Sequence, residues 1–517
     1  MKPITTSTFT FRDIREGGYL YVDKTAIFHS LVQQFKGVFF LSRPRRFGKS
    51  LTISTLEEIF NGNKDLFEGL AIYNLPYNWK KYPVIRIDLG SRQADTSEKL
   101  EAKLLEAISE NAHRFNLKTS GVDSSSHFLS LISQISESQG KVVILIDEYD
   151  KPILGNIDNP QVGEILKVLK AFYSVVKTAD ASIRFAFLTG VSKFSKVSVF
   201  SDLNNLTDLT MDSRYAAFLG FTQEELEMSF SEYIELLTKK EGISRQELIA
   251  KIRNYYNGYR FSEENVTVYN PVSCGKLFET QKFANYWFET GTPTMLINLM
   301  KNRRMDIDEE KKRWVDSEAF SAYEVERLEI LPLLFQTGYM TIADTRQIGS
   351  LTQYRLDFPN LEVATSFTKV LLSRQTDKPM NEVTSAFGNL LAGFFQNDLG
   401  AVFLALQSLF AGINQELHIP LEKYYQSLFV MVFRLLGAEI QTEVKTADGR
   451  IDAIVQGADT TYIIEFKLNG TAKEAIDQIR DKNYCLPYKN TGKKIIAVGV
   501  EFSREKRNIT EWLTEQY

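Results

Sequence analysis

The chain has 517 residues, of which 44% are hydrophobic and 24% charged, a composition typical of soluble globular proteins, and its length predicts about three domains. The formal net charge of −4 excludes a uniformly basic nucleic-acid-binding protein, so contact with nucleic acid requires a local patch. The two cysteines, Cys274 and Cys485, lack a Cys-x-x-Cys spacing, which argues against a disulfide framework or a cysteine zinc site and favours the cytoplasm.

The N-terminal residues contain no apolar signal core. The longest apolar runs, such as Leu428–Phe433, fall well short of the roughly 20 residues that cross a bilayer. We therefore expect no membrane segment and a protein that stays in the compartment where it is made.

The stretch Gly37–Leu51 reads as a buried strand, a loop and the start of a helix. Gly48, Lys49 and Ser50 match the end of the phosphate-binding pattern G-x-x-x-x-G-K-[ST], in which backbone N–H groups and the lysine hold phosphates and the serine holds Mg²⁺. Arg43 stands where the pattern has its first glycine, and we expect this bulkier residue to line the loop. The alternative is a basic surface turn, but the flanking strand and helix favour a nucleotide site.

Four apolar runs alternate with helical stretches in the first 215 residues. This alternation predicts a parallel sheet covered on both faces, with ligands at the carboxyl ends of the strands. The runs are Val38–Leu41, Val84–Leu89, Val142–Ile146 and Ile183–Leu188. Upstream of them, Tyr19–Thr25 supplies aromatic side chains either to a nucleotide base or to the core.

Polar residues follow two of these runs. Asp147 and Glu148 end the third run, where ATPases place an aspartate that binds Mg²⁺ and a glutamate that activates the attacking water. The alternative is an acidic strand end that faces solvent. Thr189 ends the fourth run, where it would either touch the outer phosphate or the water, or cap the strand.

Residues 216–385 read as mainly helical, and we expect a lid over the nucleotide. Thr222 and Glu225 form a capping-box pattern at one helix start. Leu333–Ile342 followed by Tyr354–Phe358 predicts a helix end and a hairpin, as in a winged-helix-like module. We interpret the aromatic residues of Asn254–Phe261 as core rather than as a base-stacking platform.

A second group of chemical residues lies near the C-terminus. Gly449–Val455 and Tyr462–Leu468 predict two strands of a hairpin. Glu465 and Lys467, two positions apart, project to one face, which Asp452 on the neighbouring strand can reach. Two carboxylates suit Mg²⁺ or Mn²⁺, and the lysine can orient or activate the water that attacks phosphorus. The alternative is an ordinary Glu/Lys pair on a strand surface.

Together these motifs resemble the AAA-ATPase-like family of prokaryotic proteins that carry a C-terminal PD-(D/E)XK nuclease-superfamily domain. The motifs that carry the resemblance are Tyr21-Val-Asp-Lys-Thr, Arg43-Pro-Arg-Arg-Phe-Gly-Lys-Ser-Leu, Leu145-Ile-Asp-Glu-Tyr-Asp, Thr189-Gly-Val-Ser-Lys-Phe and Asn204-Asn-Leu-Thr-Asp-Leu-Thr. The arginine-rich loop is the usual form in that family, so Arg43 fits it.

The resemblance implies an α/β multidomain fold. It places a P-loop ATPase domain with a parallel sheet in residues 1–215, a helical lid and winged-helix-like region in 216–385, and a restriction-endonuclease-like PD-(D/E)XK domain in 386–517. It also implies ATP-dependent control of metal-dependent DNA cleavage, in defence or mobile-element biology, and we expect that the protein assembles as a homo-oligomer. Two rivals stay open: a nucleotide-dependent switch that binds nucleic acid or a protein without cutting, and a nuclease whose ATP is bound but not hydrolysed.

The resemblance also assigns roles to residues. Glu422, on an upstream helical stretch, is the additional acidic ligand, and Gln478 lies on a helix that a Thr471…Glu474 capping box begins. The proline of the family name is absent, since Ile451 precedes Asp452, and Gln426 stands where relatives often have histidine. The candidate catalytic residues are Glu148, Asp452, Glu465, Lys467 and Gln478; the nucleotide-binding ones are Arg45, Arg46, Gly48, Lys49, Ser50, Asp147 and Thr189; the metal ligands are Ser50, Asp147, Glu422, Asp452 and Glu465.

Overall fold

The structure is a computed structural model of the chain. It describes residues 1–90, 94–193, 203, 205–287, 307–320, 330–375, 378–411, 429, 439–446, 449–457, 459–468, 470–503, 505–506 and 508–517. The chain divides into two compact units, the first being Met1–Trp287 with Lys311–Glu362 and the second Phe288–Glu310 with Val363–Tyr517.

The first unit is built on a five-stranded sheet in which every described strand pairing is parallel. Its strands are β1 Gly37–Ser42, β2 Val84–Asp88, β3 Val142–Asp147, β4 Ile183–Gly190 and β5 Leu206–Asp208, in the order β2-β3-β4-β1-β5. The four predicted runs are therefore confirmed as strands. All residues of β3 and β4 are buried, as expected of central strands covered on both faces.

Helices α1 to α8 accompany this sheet. They are α1 Phe11–Glu16, α2 Thr25–Val32, α3 Lys49–Phe60, α4 Ala71–Asn74, α5 Ser97–Arg114, α6 Ser124–Gln139, α7 Lys151–Leu154 and α8 Val162–Thr178. Side-chain caps fix where the longer ones begin: Thr96 accepts from the backbone at the start of α5, and Asp123 forms a capping box with Ser126 at the start of α6.

The predicted helical middle region is also present. Its helices are α9 Gln223–Ser229, α10 Ser231–Glu241, α11 Arg245–Tyr256 and α12 Pro271–Thr280. The Thr222–Glu225 capping box is confirmed, and the helices share a hydrophobic cluster with Val22 from the N-terminal segment.

A small antiparallel sheet follows in the same unit. It contains β6 Trp314–Asp316, β7 Thr341–Ile348 and β8 Leu351–Asp357 in the order β6-β8-β7, and helix α13 Ile330–Thr337 leads into it. The predicted helix end and hairpin are thus confirmed. Of the predicted middle region, residues 216–287 and 311–362 belong to the unit of the parallel sheet, and residues 288–310 and 363–385 belong to the second unit. The predicted domain bounds stay a prediction.

The second unit contains a five-stranded mixed sheet. Its strands are β9 Glu439–Thr446, β10 Gly449–Gln456, β11 Thr460–Leu468, β12 Lys494–Ser503 and β13 Asn508–Gln516, in the order β13-β12-β11-β10-β9. Only β11 and β12 are parallel among the described pairings. The predicted hairpin is confirmed, and its turn is closed by the bond from Gly457 N to Thr460 O at 2.8 Å.

The described residues also contain four longer helices and one short one. They are α14 Leu361–Gln375, which begins in the first unit, α15 Met380–Phe395, α16 Leu399–Phe410, α17 Ala472–Asp481 and a single turn at Ile307–Glu310. The predicted capping box between Thr471 and Glu474 begins α17. Within the described ranges, no helix combines the length and hydropathy needed to cross a membrane.

Candidate functional site

The phosphate-binding pattern lies between β1 and α3, at the carboxyl end of a central strand. Gly48 precedes the helix with φ 90°, a left-handed conformation that favours glycine. Arg46 has φ 67°, so the loop contains a second left-handed residue. The first N–H groups of α3 have no partner within the helix and face the end of this loop, which is the arrangement that binds phosphate.

Lys49 is buried at the first position of α3. Its Nζ donates to the carbonyl oxygens of Arg43 at 3.0 Å and Pro44 at 2.9 Å, which holds the ammonium inside the loop. Burial lowers the pKa of Lys49, while the negative charges of Asp147 and Glu148 act against that shift. The structure therefore brings the lysine and the acidic strand end together. Ser50 follows, half-buried, on the same helical turn.

Asp147 ends β3 and is 2% exposed. One carboxylate oxygen accepts from the hydroxyl of Thr189 at 2.6 Å and from the backbone N–H of Glu148 at 3.0 Å. Thr189, on β4 between β1 and β3, is fully buried, so its geometry orients Asp147. Its predicted contact with a phosphate or a water stays a prediction.

Glu148 has φ 51° and lies half-buried, with Lys151 at 3.8 Å. Burial raises the pKa of its carboxyl, which suits a group that accepts a proton. A Cβ at Gly90 would come within 2.9 Å of the Glu148 carboxylate, so the glycine leaves room for it. Asp150 has a different role, since it accepts from Ser192 N at 2.6 Å and Ser192 Oγ at 2.7 Å and so holds the chain after β4.

The Arg43 side chain does not line the loop, so the prediction that it does is wrong. Its guanidinium points into the protein, where it donates to the carbonyl oxygens of Thr210 at 2.7 Å and Tyr215 at 3.0 Å. It also lies 4.2 Å from the ring centroid of Phe261. The side chain is 1% exposed, and among the described residues its Nε has no hydrogen-bond partner. Arg43 therefore anchors the loop from behind.

Two neighbouring loop residues are anchored in the same way. Arg46 Nη1 donates to the carbonyl oxygen of Tyr286 at 2.6 Å. The carbonyl of Arg45 accepts from the indole N–H of Trp287 at 3.3 Å, while the Arg45 side chain is exposed. In this structure Arg46 thus contacts protein, and Arg45 is the loop arginine that faces solvent.

Aromatic rings pack behind the loop as well. The ring of Phe47 lies 4.8 Å from that of Tyr259 and 5.5 Å from that of Phe261, between centroids. Both partners are buried, so these residues of Asn254–Phe261 are core, as interpreted from the sequence. No feature of the sequence indicated that they contact the phosphate loop.

A largely apolar cavity of about 160 Å³ adjoins the loop. Among its lining residues are Leu20, Tyr21, Gly48, Leu51 and Phe221. Tyr21 also packs edge-on against Phe11 at 5.2 Å, so it contributes to the core and to the wall of the cavity. An apolar slot beside a phosphate loop suits a flat base.

The C-terminal candidates converge around β10, β11 and α17. Asp452 accepts from the backbone N–H of Phe466 at 2.9 Å, and its own backbone N–H donates to Glu465 at 3.2 Å. Gln478 donates to the other oxygen of Glu465 at 2.8 Å, and its amide oxygen accepts from Lys467. Four residues from two strands and one helix thus form one hydrogen-bonded cluster, which Asp452 joins through its backbone N–H.

Glu465 is 1% exposed. Burial and the nearby charge of Asp452 raise its pKa to about 8, although the Lys467 charge acts in the opposite direction. A carboxylate in this position lacks sufficient countercharge, which is the environment that a divalent cation would balance. The donor set therefore fits a hard cation.

The carboxylates do not surround a metal by themselves. Over the described part of the chain, no three His, Cys, Asp or Glu side chains group as metal ligands. Mg²⁺ commonly takes one or two carboxylates and completes its shell with water and phosphate oxygens, so a pair such as Asp452 and Glu465 is compatible with a site of that kind. Glu422 and Gln426 lie outside the described residues.

Comparison with known protein families also separates an ATPase-like part near the N-terminus from a nuclease-like part near the C-terminus. Residues 3–200 match the AAA-ATPase-like family, described as Predicted AAA-ATPase, and residues 421–512 match a family of the PD-(D/E)XK nuclease superfamily. The first match supports nucleotide binding and the second supports a nuclease.

One relative matches along the full length. A protein of Azotobacter chroococcum mcd 1, described as "Uncharacterized protein in vnfD 5'region", is 39% identical over 517 residues, which are 98% of this chain and 97% of the relative.

Solved structures give a distant likeness. The Aeropyrum pernix ORC2 protein (ADPNP-ADP complexes) and ORC1 protein in complex with DNA each align with 70% of this chain and with 98% and 97% of their own, at TM-scores of 0.30 and 0.26 and identities of 12% and 10%. The relative that matches 98% of the chain and the two family matches, not the distant solved structures, show which family the chain belongs to. The chain belongs to the family of AAA-ATPase-like proteins that carry a C-terminal PD-(D/E)XK nuclease-superfamily domain.

Proposed function

We propose that this protein binds ATP and that its nucleotide state controls a metal-dependent DNA phosphodiesterase in the C-terminal domain. The observation that carries the proposal is the hydrogen-bonded cluster of Asp452, Glu465, Lys467 and Gln478. A solvent-facing Glu/Lys pair, the alternative left open by the sequence, would not bury Glu465. Defence or mobile-element biology and assembly as a homo-oligomer belong to the same proposal.

At the nucleotide site, Lys49 neutralises the outer phosphates of ATP, and the first N–H groups of α3 bind them. Ser50 and Asp147 hold Mg²⁺, with Thr189 fixing the Asp147 carboxylate through its hydroxyl. Glu148 accepts the proton of the attacking water, for which its raised pKa is suited. The base occupies the apolar cavity beside Gly48.

At the nuclease site, Asp452 and Glu465 hold Mg²⁺ or Mn²⁺, which supplies Lewis-acid polarisation of the phosphodiester. Lys467 places a positive charge where negative charge develops on phosphorus oxygens. Gln478 donates to Glu465 and accepts from Lys467, so one amide fixes the orientation of both. Glu422, predicted as a further ligand, stays a prediction.

Cleavage of DNA by the purified protein with Mn²⁺ tests the nuclease. We expect Glu465→Gln and Lys467→Ala to abolish cleavage, and Lys493→Ala to retain it, because Lys493 contacts Gly457 at the other end of the hairpin. Cleavage that survives both site variants contradicts the assignment. DNA binding without cleavage by the wild type favours the nucleotide-dependent switch.

Phosphate release tests the ATPase half. The wild type should release phosphate from ATP, and Glu148→Gln should bind ATP and release little. Nucleotide binding without phosphate release in the wild type identifies a site that holds ATP without turning it over.

A further inference from the structure

Glu362 is a fully buried carboxylate at the start of α14 that neither proposed site uses. It accepts from the hydroxyl of Ser273 at 2.8 Å and from the backbone N–H of Trp287 at 2.8 Å. Burying an acidic side chain is costly unless its environment compensates it, so a residue held in this way has a structural or functional reason to be acidic.

Glu362 reaches the phosphate loop by two short routes. Trp287, whose backbone N–H binds Glu362, donates its indole N–H to the carbonyl of Arg45 at 3.3 Å. Arg46 donates to the carbonyl of Tyr286, the residue before Trp287, at 2.6 Å. The segment that anchors two consecutive loop residues is therefore itself anchored by Glu362.

These contacts lie where the chain leaves the first unit. Trp287 and Glu362 are the last residues of the two segments of that unit, and Phe288 and Val363 are assigned to the second. One hydrogen bond thus joins the two exits to each other, and the indole of Trp287 joins them to the nucleotide loop.

The groups around Glu362 leave its ionisation balanced near neutrality. Burial raises its pKa to about 7, and its hydrogen-bond donors and the charge of Arg46 act against that rise. The charge of Glu362 in turn raises the pKa values of titratable groups on α11, on α12 and on the segment between them. These groups are Tyr255, Tyr256, Tyr259 and Cys274.

We infer that Glu362 is a positioning residue of the nucleotide site, which acts through Trp287 and Arg46 to hold the phosphate loop and couples its occupancy to the two exits of the chain. The inference rests on the proposed nucleotide binding. A preorganised loop binds phosphates more tightly than one that must be ordered on binding, and coupling of this kind is reciprocal. Nucleotide at the loop therefore stabilises both exits.

Hydrogen exchange measures the coupling directly. Adding a non-hydrolysable ATP analogue with Mg²⁺ to the wild type should slow exchange in peptides covering 284–287 and 361–366. Glu362→Gln should bind the analogue and lose most of this protection. Glu101→Gln is the matched control, because Glu101 also binds a serine hydroxyl and the backbone N–H of that residue, Ser124, but makes no described contact with the loop.

The affinity for the ATP analogue, measured at two pH values, distinguishes a positioning role of Glu362 from a merely structural one. At pH 8 the wild-type Glu362 is charged, so Glu362→Gln should bind the analogue about fivefold more weakly, the difference between a charged and a neutral hydrogen-bond acceptor. At pH 6, which lies below the raised pKa, the wild-type group is mainly protonated, so the difference in affinity should be smaller than at pH 8. The ratio of their Kd values cancels the ionisation of the nucleotide itself.

The outcomes separate this inference from the function on which it rests. A ratio equal at both pH values, or unchanged protection in Glu362→Gln, overturns the inference while leaving nucleotide binding intact. Absence of nucleotide binding by the wild type at either pH refutes the proposed function and the inference together.

Discussion

The two candidate sites are assembled in opposite ways. At the phosphate loop, the hydrogen bonds of Arg43, Arg46 and Arg45 reach residues that are 167, 240 and 242 positions away in sequence. At the carboxylate cluster, the bonds among Asp452, Glu465, Lys467 and Gln478 span 11 to 13 positions. The first site depends on the whole unit being folded, whereas a hairpin and one helix position the second.

This difference has a consequence for how the sites respond to damage. A substitution that loosens the anchors of the loop should weaken nucleotide binding from a distance. In the absence of nucleotide, the carboxylate cluster should respond only to substitutions among its own few elements. Four substitutions examine this contrast.

The largest effect is expected at the local site. Asp452→Asn removes one carboxylate and so should reduce Mn²⁺-dependent DNA cleavage by about a thousandfold, in the range that loss of one key electrostatic group produces. Affinity for ATP, measured by calorimetry, should be unchanged. A parallel loss of ATP affinity would show that the cluster is not self-contained.

Lys49→Met should weaken ATP binding by about a hundredfold, because in the proposed complex the ammonium would form charge-assisted bonds with the phosphates. Cleavage of DNA in the absence of nucleotide should stay at the wild-type rate. Unaltered ATP affinity in this variant would remove the basis for the nucleotide site.

Arg43→Met sharpens the comparison between the two sites, since it removes contacts that anchor the phosphate loop to the rest of the unit. The methionine can cover Phe261, but the carbonyl oxygens of Thr210 and Tyr215 lose their donor. We expect about 2 kcal/mol of lost stability in the first unit and weaker ATP binding. Hydrogen exchange should locate the loss in residues 205–215 and 257–261 and leave β10 to β13 unchanged.

The smallest effect concerns pH. Because folding raises the pKa of Glu465 to about 8, its contribution to stability is fully present below its unfolded pKa of about 4.3 and is lost as the pH rises through 8. Without divalent cations, Glu465→Gln should therefore melt a few degrees above the wild type at about pH 8.5 and close to it at about pH 4.

Melting temperatures measured by thermal shift at both pH values check this prediction. Mg²⁺ should reduce the difference in melting temperature at high pH by stabilising the wild type. An equal shift at both pH values would mean that the side chain matters for packing and not for charge.

The same contrast explains what the sequence could predict. Apolar runs such as Val142–Ile146 and the motif ending in Lys49 and Ser50 are local signals, and both took the expected structure. The placement of Glu465 beside Asp452 also follows from strand alternation and a short turn. Each of these depends on neighbours a few positions away.

Contacts between residues far apart in the sequence could not be predicted from it. The sequence around Arg43 contains nothing that indicates Thr210, Tyr215 or Phe261, so the side chain was placed in the loop when it points the other way. Glu362 likewise looks like an ordinary acidic residue near a helix start. Its role emerges only when folding brings Ser273 and Trp287 to it.

The most direct test of the account is the rate of Mn²⁺-dependent DNA cleavage, measured with and without a non-hydrolysable ATP analogue in the wild type and in Lys49→Met. We predict that the analogue changes the rate in the wild type and leaves it unchanged in the variant. A wild-type rate that ignores the nucleotide, or an equal response in both proteins, would contradict control of the nuclease by the phosphate loop.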